Sequence, residues 1–216
     1  MCSRTSFVKT LAALLFVLIF AVSIISTGTY AAQKVRLDQE DLPYARPWQY
    51  RFKWVVKPLS AFLSLLLLIF AAFSACKSCC GGGSSKSGRS GRVYPSFMLL
   101  FSVGMCVLWS ILVAYQFKNA PNYTDNPSQF IDNSSNARFF IYPLASGISL
   151  KNDCGASPFT LYEHGELLCK LIKIDSITAI IALGLWGIAL LFSLLLLGMR
   201  RSFRPKDNVI APYPAN

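Results

Sequence analysis

Residues 76–92 read Cys76-Lys-Ser-Cys-Cys-Gly-Gly-Gly-Ser-Ser-Lys-Ser-Gly-Arg-Ser-Gly-Arg92, a polar segment between long apolar runs. The segment contains four basic residues and no acidic residue. An excess of Lys and Arg in a short loop is typical of the cytoplasmic side of a membrane. Its five glycines and five serines leave too little apolar surface to offset the entropy of ordering. The sequence therefore predicts a flexible cytoplasmic linker over residues 77–92.

Four apolar runs dominate the rest of the chain, each near or above the roughly 20 residues that cross a hydrocarbon core of about 30 Å. Hydrophobic residues make up 54 % of the 216 residues and charged residues 14 %, which is the composition of a membrane protein. We therefore predict an all-α membrane protein, a single four-helix bundle. The predicted spans are residues 10–33, 58–76, 93–117 and 176–199.

Charges outside the spans predict the orientation of the bundle. The N-terminus, the linker and the tail 200–216 together carry ten basic residues and one acidic residue. The other two loops, 33–57 and 118–175, carry 11 basic and nine acidic residues over a much greater length. Both termini are therefore predicted to be cytoplasmic, and both loops extracellular or lumenal. We expect the protein in the plasma membrane or in an endomembrane of the secretory pathway.

The first apolar run also has a competing interpretation as a secretory signal peptide. Thr29-Tyr-Ala31 would be a tolerable cleavage site. However, the run exceeds 20 residues, whereas the apolar part of a signal peptide has about 7–15. We therefore expect a retained first helix, and either outcome leaves the second helix entering the membrane from outside.

Three cysteines, Cys76, Cys79 and Cys80, lie where the second span meets the linker. Thiols beside the cytoplasmic end of a transmembrane helix are typical sites of S-palmitoylation. Two alternatives remain open: a redox or metal-binding CxxC pair, and free cysteines in a reducing compartment. A structural zinc site needs four ligands, and the single histidine, His164, is predicted to lie on the opposite side of the membrane.

Loop 118–175 carries the signatures of an extracellular segment. Asn122-Tyr-Thr and Asn133-Ser-Ser are N-glycosylation sequons. Cys154 and Cys169 are the two cysteines on that side of the membrane, and an isolated pair in an oxidising compartment predicts a disulfide. We interpret His164 as a solvated side chain, with pH sensing or metal binding as the alternatives.

Small residues recur at helical spacing along one face of three spans. Small residues allow helix backbones to approach closely in lipid, so we expect these faces to form the inner seams of the bundle. They are Ser60, Ser64, Ala71 and Ala75 in the second span, Ser102, Cys106, Ser110 and Ala114 in the third, and Thr178, Ala182, Ala189 and Ser193 in the fourth.

The predicted spans contain no Lys, Arg, Asp or Glu, although charged residues within spans are the usual markers of a substrate path. No nucleophile with a base, metal cluster or carboxylate pair is recognisable either. We therefore predict a protein that is not an enzyme, with no catalytic residue, no metal site and no cofactor.

In organisation the chain resembles the tetraspan class, which includes MARVEL-domain proteins and tetraspanins. Cytoplasmic termini, four spans, juxtamembrane cysteines and a disulfide-bearing loop before the last span carry this resemblance. The second outer loop lacks the Cys-Cys-Gly of tetraspanins, which occurs here as Cys79-Cys80-Gly81 in the linker. The first outer loop lacks the Gly-Leu-Trp and cysteine pair of claudins. MARVEL-like organisation is the one that these residues contradict least, and the resemblance would imply roles in membrane apposition, vesicle trafficking or lateral organisation of membrane domains.

Two functions follow from these expectations. The first is a non-enzymatic scaffold or adaptor that binds membrane lipids and other integral membrane proteins, or a second copy of itself. The alternative is a pore-forming or auxiliary subunit of a channel or transporter complex. The net charge of +11 does not predict binding to nucleic acid, because most basic residues flank the spans.

Overall fold

The computed structural model describes residues 2–39, 47–80, 90–117, 150, 153–155 and 163–202. Four long helices make up almost all of these residues, and no strand occurs among them. The helices are α1 (Cys2–Gln39), α2 (Pro47–Cys80), α3 (Ser90–Phe117) and α4 (Gly165–Ser202). The all-helical fold class is thereby confirmed.

Each helix contains a stretch long and apolar enough to cross a membrane, which indicates a multi-pass membrane protein. These stretches are Thr10–Arg36, Arg51–Phe73, Pro95–Phe117 and Gly165–Gly198. Which end of the bundle faces the cytoplasm remains a prediction.

The helices extend well beyond the predicted spans. With 38 residues, α4 is about 57 Å long at 1.5 Å per residue, nearly twice the thickness of a hydrocarbon core. Its first eleven residues, and the first turns of α2, come from segments predicted to be outer loop. A helix continues past an apolar run wherever its backbone hydrogen bonds and its packing continue. Spans limited at the nearest charged residue are therefore shorter than the helices that contain them.

The predicted linker 77–92 is also shorter in the structure. α2 continues to Cys80 and α3 begins at Ser90, so both ends of the predicted segment are helical. The central residues 81–89 lie outside the described part of the chain.

The helices pack in an up-and-down order. α1 packs along both α2 and α4, and α3 packs mainly along α4. Chain order then places the ends of α1 and α3 and the starts of α2 and α4 at one end of the bundle. This end carries the predicted disulfide, which is present between Cys154 and Cys169 with their Cα atoms 5.6 Å apart. We call it the disulfide end.

Large side chains fill the space between the helices. Phe16, Leu67, Met105, Trp109 and Trp186 are fully buried and belong to one continuous core cluster. The opposite faces of the helices expose large apolar side chains, among them Leu18, Phe73, Leu100 and Leu191. Such faces suit contact with lipid tails, where apolar side chains need no burial within the protein.

The predicted seams of two helices are confirmed. Ser60 and Ser64 on α2 and Ala182, Ala189 and Ser193 on α4 are all buried. The seam predicted for α3 is wrong in its second half. Ser102 is buried and Cys106 is half-buried against the core. Ser110 and Ala114 are exposed, because α3 turns the large side chains of Met98, Met105 and Trp109 towards the core.

One hydroxyl in the middle of the bundle contacts all three other helices. Ser60 Oγ accepts hydrogen bonds from Trp186 Nε1 at 2.8 Å and from Trp109 Nε1 at 3.3 Å, and it lies 2.8 Å from Ser23 Oγ. An indole N–H can only donate, so both lone pairs of Ser60 are occupied and its own proton is left for Ser23. The four side chains come from the four different helices.

Replacing Ser60 by Ala should therefore destabilise the bundle strongly. The change leaves two buried indole N–H groups without an acceptor, at about 1–3 kcal/mol each. We expect a clear fall in the melting temperature of the protein in detergent or nanodiscs, measured by tryptophan fluorescence. Ser64→Ala is the matched control, because Ser64 bonds to the carbonyl of Ala61 in its own helix. Equal effects of the two substitutions would contradict this role of Ser60.

Candidate functional site

A buried ion pair joins α2 to α4 nearer the disulfide end. The Nζ of Lys57 contacts Oδ1 of Asp175, and the two residues are 0 % and 1 % exposed. Each stands one position before a predicted span, which placed it in an outer loop. The structure places both within helices, in stretches that qualify as membrane spans. The expectation that the spans contain no charged residue is therefore wrong for the spans as the structure has them.

The carboxylate of Asp175 has partners on all three other helices. On one side, Oδ1 accepts from Lys57 and, at 3.4 Å, from the hydroxyl of Ser26 on α1. On the other side, Oδ2 accepts from Nε2 of Gln116 on α3 at 3.2 Å. The Nζ of Lys53, one turn before Lys57 on α2, lies 3.7 Å from the same oxygen. We call these five residues, together with Tyr30, the Asp175 cluster.

The ammonium of Lys57 is fully occupied inside the cluster. Besides the carboxylate, the carbonyl of Ser26 lies 3.5 Å from Nζ and the ring centroid of Tyr30 lies 4.3 Å away. A carboxylate, a carbonyl and an aromatic face take up the three protons that an ammonium can donate. The Nζ of Lys53 lies 5.5 Å from the same ring. Tyr30 therefore faces both cations from α1.

The cluster buries two cations beside the carboxylate of Asp175. Two lysines, both nearly inaccessible to solvent, share one carboxylate. Burying a charge is costly unless partners replace its water, and even a well-paired buried ion pair contributes little net stability. The cluster is therefore weak evidence for stability. Charged groups held inside a membrane bundle are instead a recognised marker of a functional site.

A second contact braces the bundle between the cluster and the disulfide. Gln33 on α1 donates from Nε2 to the carbonyl of Leu171 on α4 at 3.0 Å, one turn before Asp175. Cys169 lies two residues before Leu171, so the disulfide to Cys154 is attached to the same part of α4. The first turns of α4 are thus fixed to α1 and to the preceding loop.

The other predicted site residues are distributed as follows. His164 lies in the turn before α4 and its carbonyl accepts the backbone N–H of Leu168 at 2.9 Å, so it helps to start that helix. Within the described ranges, no three His, Cys, Asp or Glu residues come together as a metal site. Asn122 and Asn133 lie outside the described residues.

The three cysteines predicted to be acylated, Cys76, Cys79 and Cys80, fall in the last turns of α2. Their side chains lie outside the described part of the structure.

The Asp175 cluster was not among the predicted sites, although the sequence contains a usable signal for it. Ser60 and Ser64 were assigned to an inner seam by their spacing. Continuing that seam by three and seven residues towards the start of α2 reaches Lys57 and Lys53, which share the face at 3.6 residues per turn. On α4, the same extension from Thr178 reaches Asp175. Each predicted span stopped at its first charged residue, so Lys53, Lys57 and Asp175 were all assigned to outer loops.

No known protein family, no characterised protein and no solved structure matches this chain.

Removing the carboxylate should be more harmful than removing its closest lysine. Asp175→Asn removes the carboxylate that both Lys53 and Lys57 contact, whereas Lys57→Met leaves Lys53 beside that carboxylate. Breaking a buried pair on one side costs about 3–5 kcal/mol, and we expect Asp175→Asn to reach or exceed this range and Lys57→Met to lie below it. The free energy of unfolding in mixed micelles measures both.

The control for this comparison is Glu166→Gln. It removes an exposed pair with Lys170, one turn away on the surface of α4, and an exposed pair contributes about 0–1 kcal/mol. A Lys57→Met variant less stable than Asp175→Asn would contradict the sharing of the Asp175 carboxylate by two lysines.

Proposed function

We propose that this protein is a non-enzymatic membrane scaffold or adaptor, which holds partner proteins and lipids beside it in the plasma membrane or a secretory endomembrane. The observation that carries the proposal is the internal use of the bundle's polar groups. Asp175 and Ser60 each bind groups from all three other helices. These buried polar groups are therefore used to join the helices of the bundle to one another.

The centre of the bundle also favours a scaffold over a path through one chain. Trp109 and Trp186 are fully buried and meet at Ser60 in the middle of the bundle. Two indoles at this level leave little room for a solute to pass along the axis. The apolar outer faces remain for lateral contact with other membrane helices, where packing drives association.

A channel or transporter subunit is the second candidate, and the Lys57–Asp175 pair is the observation that favours it. Charges in a membrane bundle often belong to an ion or proton pathway. Because Trp109 and Trp186 meet at Ser60 in the middle of the bundle, such a pathway would run between copies or along a larger partner.

Size and conductance together separate the two functions. We expect the full-length protein, extracted in mild detergent, to run as single copies or in variable complexes with other integral membrane proteins. Reconstituted alone into liposomes, it should not raise ion flux above that of empty vesicles. A ring of fixed copy number that conducts ions would overturn the scaffold proposal and establish the alternative.

S-acylation of Cys76, Cys79 and Cys80 would fix the scaffold's position in the membrane. On α2 the exposed side chains of Ile69 and Phe73 are four residues apart, and positions 76 and 80 continue the same helical spacing. In the reaction, a cysteine sulfur displaces coenzyme A from a long-chain acyl thioester and the thiol proton leaves with the coenzyme. Each acyl chain contributes about 0.8 kcal/mol per buried methylene to membrane binding.

Acyl exchange should detect thioesters on the wild-type protein and none on the triple variant Cys76→Ala, Cys79→Ala, Cys80→Ala. We also expect the triple variant to change its distribution among membrane domains by imaging, because its anchor is lost. Cys106→Ala is the control, since it removes a thiol from the middle of α3. A wild-type protein without thioester would end the acylation proposal and leave the scaffold proposal standing.

A further inference from the structure

Two buried amide oxygens lie beside the Asp175 cluster without a hydrogen-bond donor among the described residues. They are Oε1 of Gln33 and Oε1 of Gln116, and their residues are 0 % and 1 % exposed. Buried polar atoms in folded proteins almost always have a partner, which is often an ordered water. Each of these two atoms therefore indicates a group that belongs to the folded bundle.

Exchanging the nitrogen and oxygen of either amide would not provide the missing partner. Gln116 donates from Nε2 to Asp175 Oδ2 at 3.2 Å, and Gln33 donates from Nε2 to the carbonyl of Leu171 at 3.0 Å. Both acceptors lack a proton, so the exchange would place oxygen against oxygen in each case. The orientation of both amides is thereby fixed, and both oxygens need an outside donor.

A third buried oxygen, Ser102 Oγ on α3, is in a different position. A hydroxyl carries its own proton and can rotate to the carbonyl one turn earlier in its helix. Ser176 and Ser193 make this bond to the carbonyls of Ile172 and Ala189 at 3.0 and 3.1 Å. An amide oxygen has no such local solution. The need for an outside donor is therefore confined to the two glutamines, both on the disulfide side of Ser60.

Charge decides which class of donor can bind there. A metal cation or a protonated amine would enter a region that already holds the ammonium groups of Lys53 and Lys57. Repulsion between like charges is strong away from bulk water. A neutral donor avoids that repulsion, and a water molecule can donate to an amide oxygen and accept from a neighbouring donor at the same time.

We propose that water enters the bundle from the disulfide end and binds at Oε1 of Gln33 and Oε1 of Gln116. The wet region ends at Ser60, whose two lone pairs are taken by the indoles of Trp109 and Trp186. Beyond it the core is lined by apolar side chains such as Phe16 and Leu67. The bundle thus has a hydrated half and a dry half, whichever of the two proposed functions it serves.

Water contacts of side-chain N–H groups test this division directly. The full chain, in lipid nanodiscs, would carry ¹⁵N in its glutamines and tryptophans. Rotating-frame cross-peaks to water would then be recorded, because their sign separates direct contact from proton exchange. We expect direct cross-peaks at the amides of Gln33 and Gln116 and none at the indole N–H of Trp109 or Trp186. Gln39, which is exposed, is the positive control.

Single substitutions Gln33→Glu and Gln116→Glu assign the signals, with Gln→Met as the replacement if either variant fails to fold. Absence of a water contact at either buried glutamine would overturn the proposal, and so would equally strong contacts at both indoles. A saturable shift of the two amides when sodium chloride replaces choline chloride at constant ionic strength would identify a cation as the ligand and would also overturn it.

Discussion

A single carboxylate, that of Asp175, is the group on which the arrangement of the helices depends. It binds Ser26, Lys57 and Gln116, one on each of the other helices. In lipid, helices gain little by hiding apolar side chains from one another, so packing and polar contacts determine how they associate. A rotation or a shift of any one helix would leave a buried charge or amide without its partner. The carboxylate therefore specifies rotation and register together.

Ser60 repeats this arrangement with neutral groups, three residues further along α2 than Lys57. The order of the two contacts follows from solvation. A charge becomes more costly towards the middle of a membrane, whereas a hydroxyl with all its hydrogen bonds made can lie there. The charged contact accordingly lies nearer the disulfide end and the neutral contact lies between the indoles of Trp109 and Trp186. In the other half of the bundle, beyond Ser60, the helices are joined mainly by apolar packing.

Much of the fold could be predicted from composition and spacing, because long apolar runs have few alternatives to a helix in a membrane. The disulfide could be predicted because Cys154 and Cys169 had no competing partner on their side. The cluster could not, for a physical reason. A lysine at the edge of an apolar run is usually solvated, and only the facing helices decide whether it is buried. Lys57 became an interior residue because Asp175, over a hundred positions away, supplies its charge partner.

The internal use of polar groups also limits where the protein can bind other molecules. Polar groups that hold the four helices together are not available to recognise a substrate or partner from within the bundle. Recognition must then use the apolar outer faces, the chain segments at the disulfide end, or the cysteines and basic residues at the opposite end. At the disulfide end, the start of α4 is held to α1 by the hydrogen bond from Gln33 to Leu171 and to the preceding loop by the disulfide of Cys169. The Asp175 cluster lies one turn further along the same helix, so these contacts together fix this part of α4.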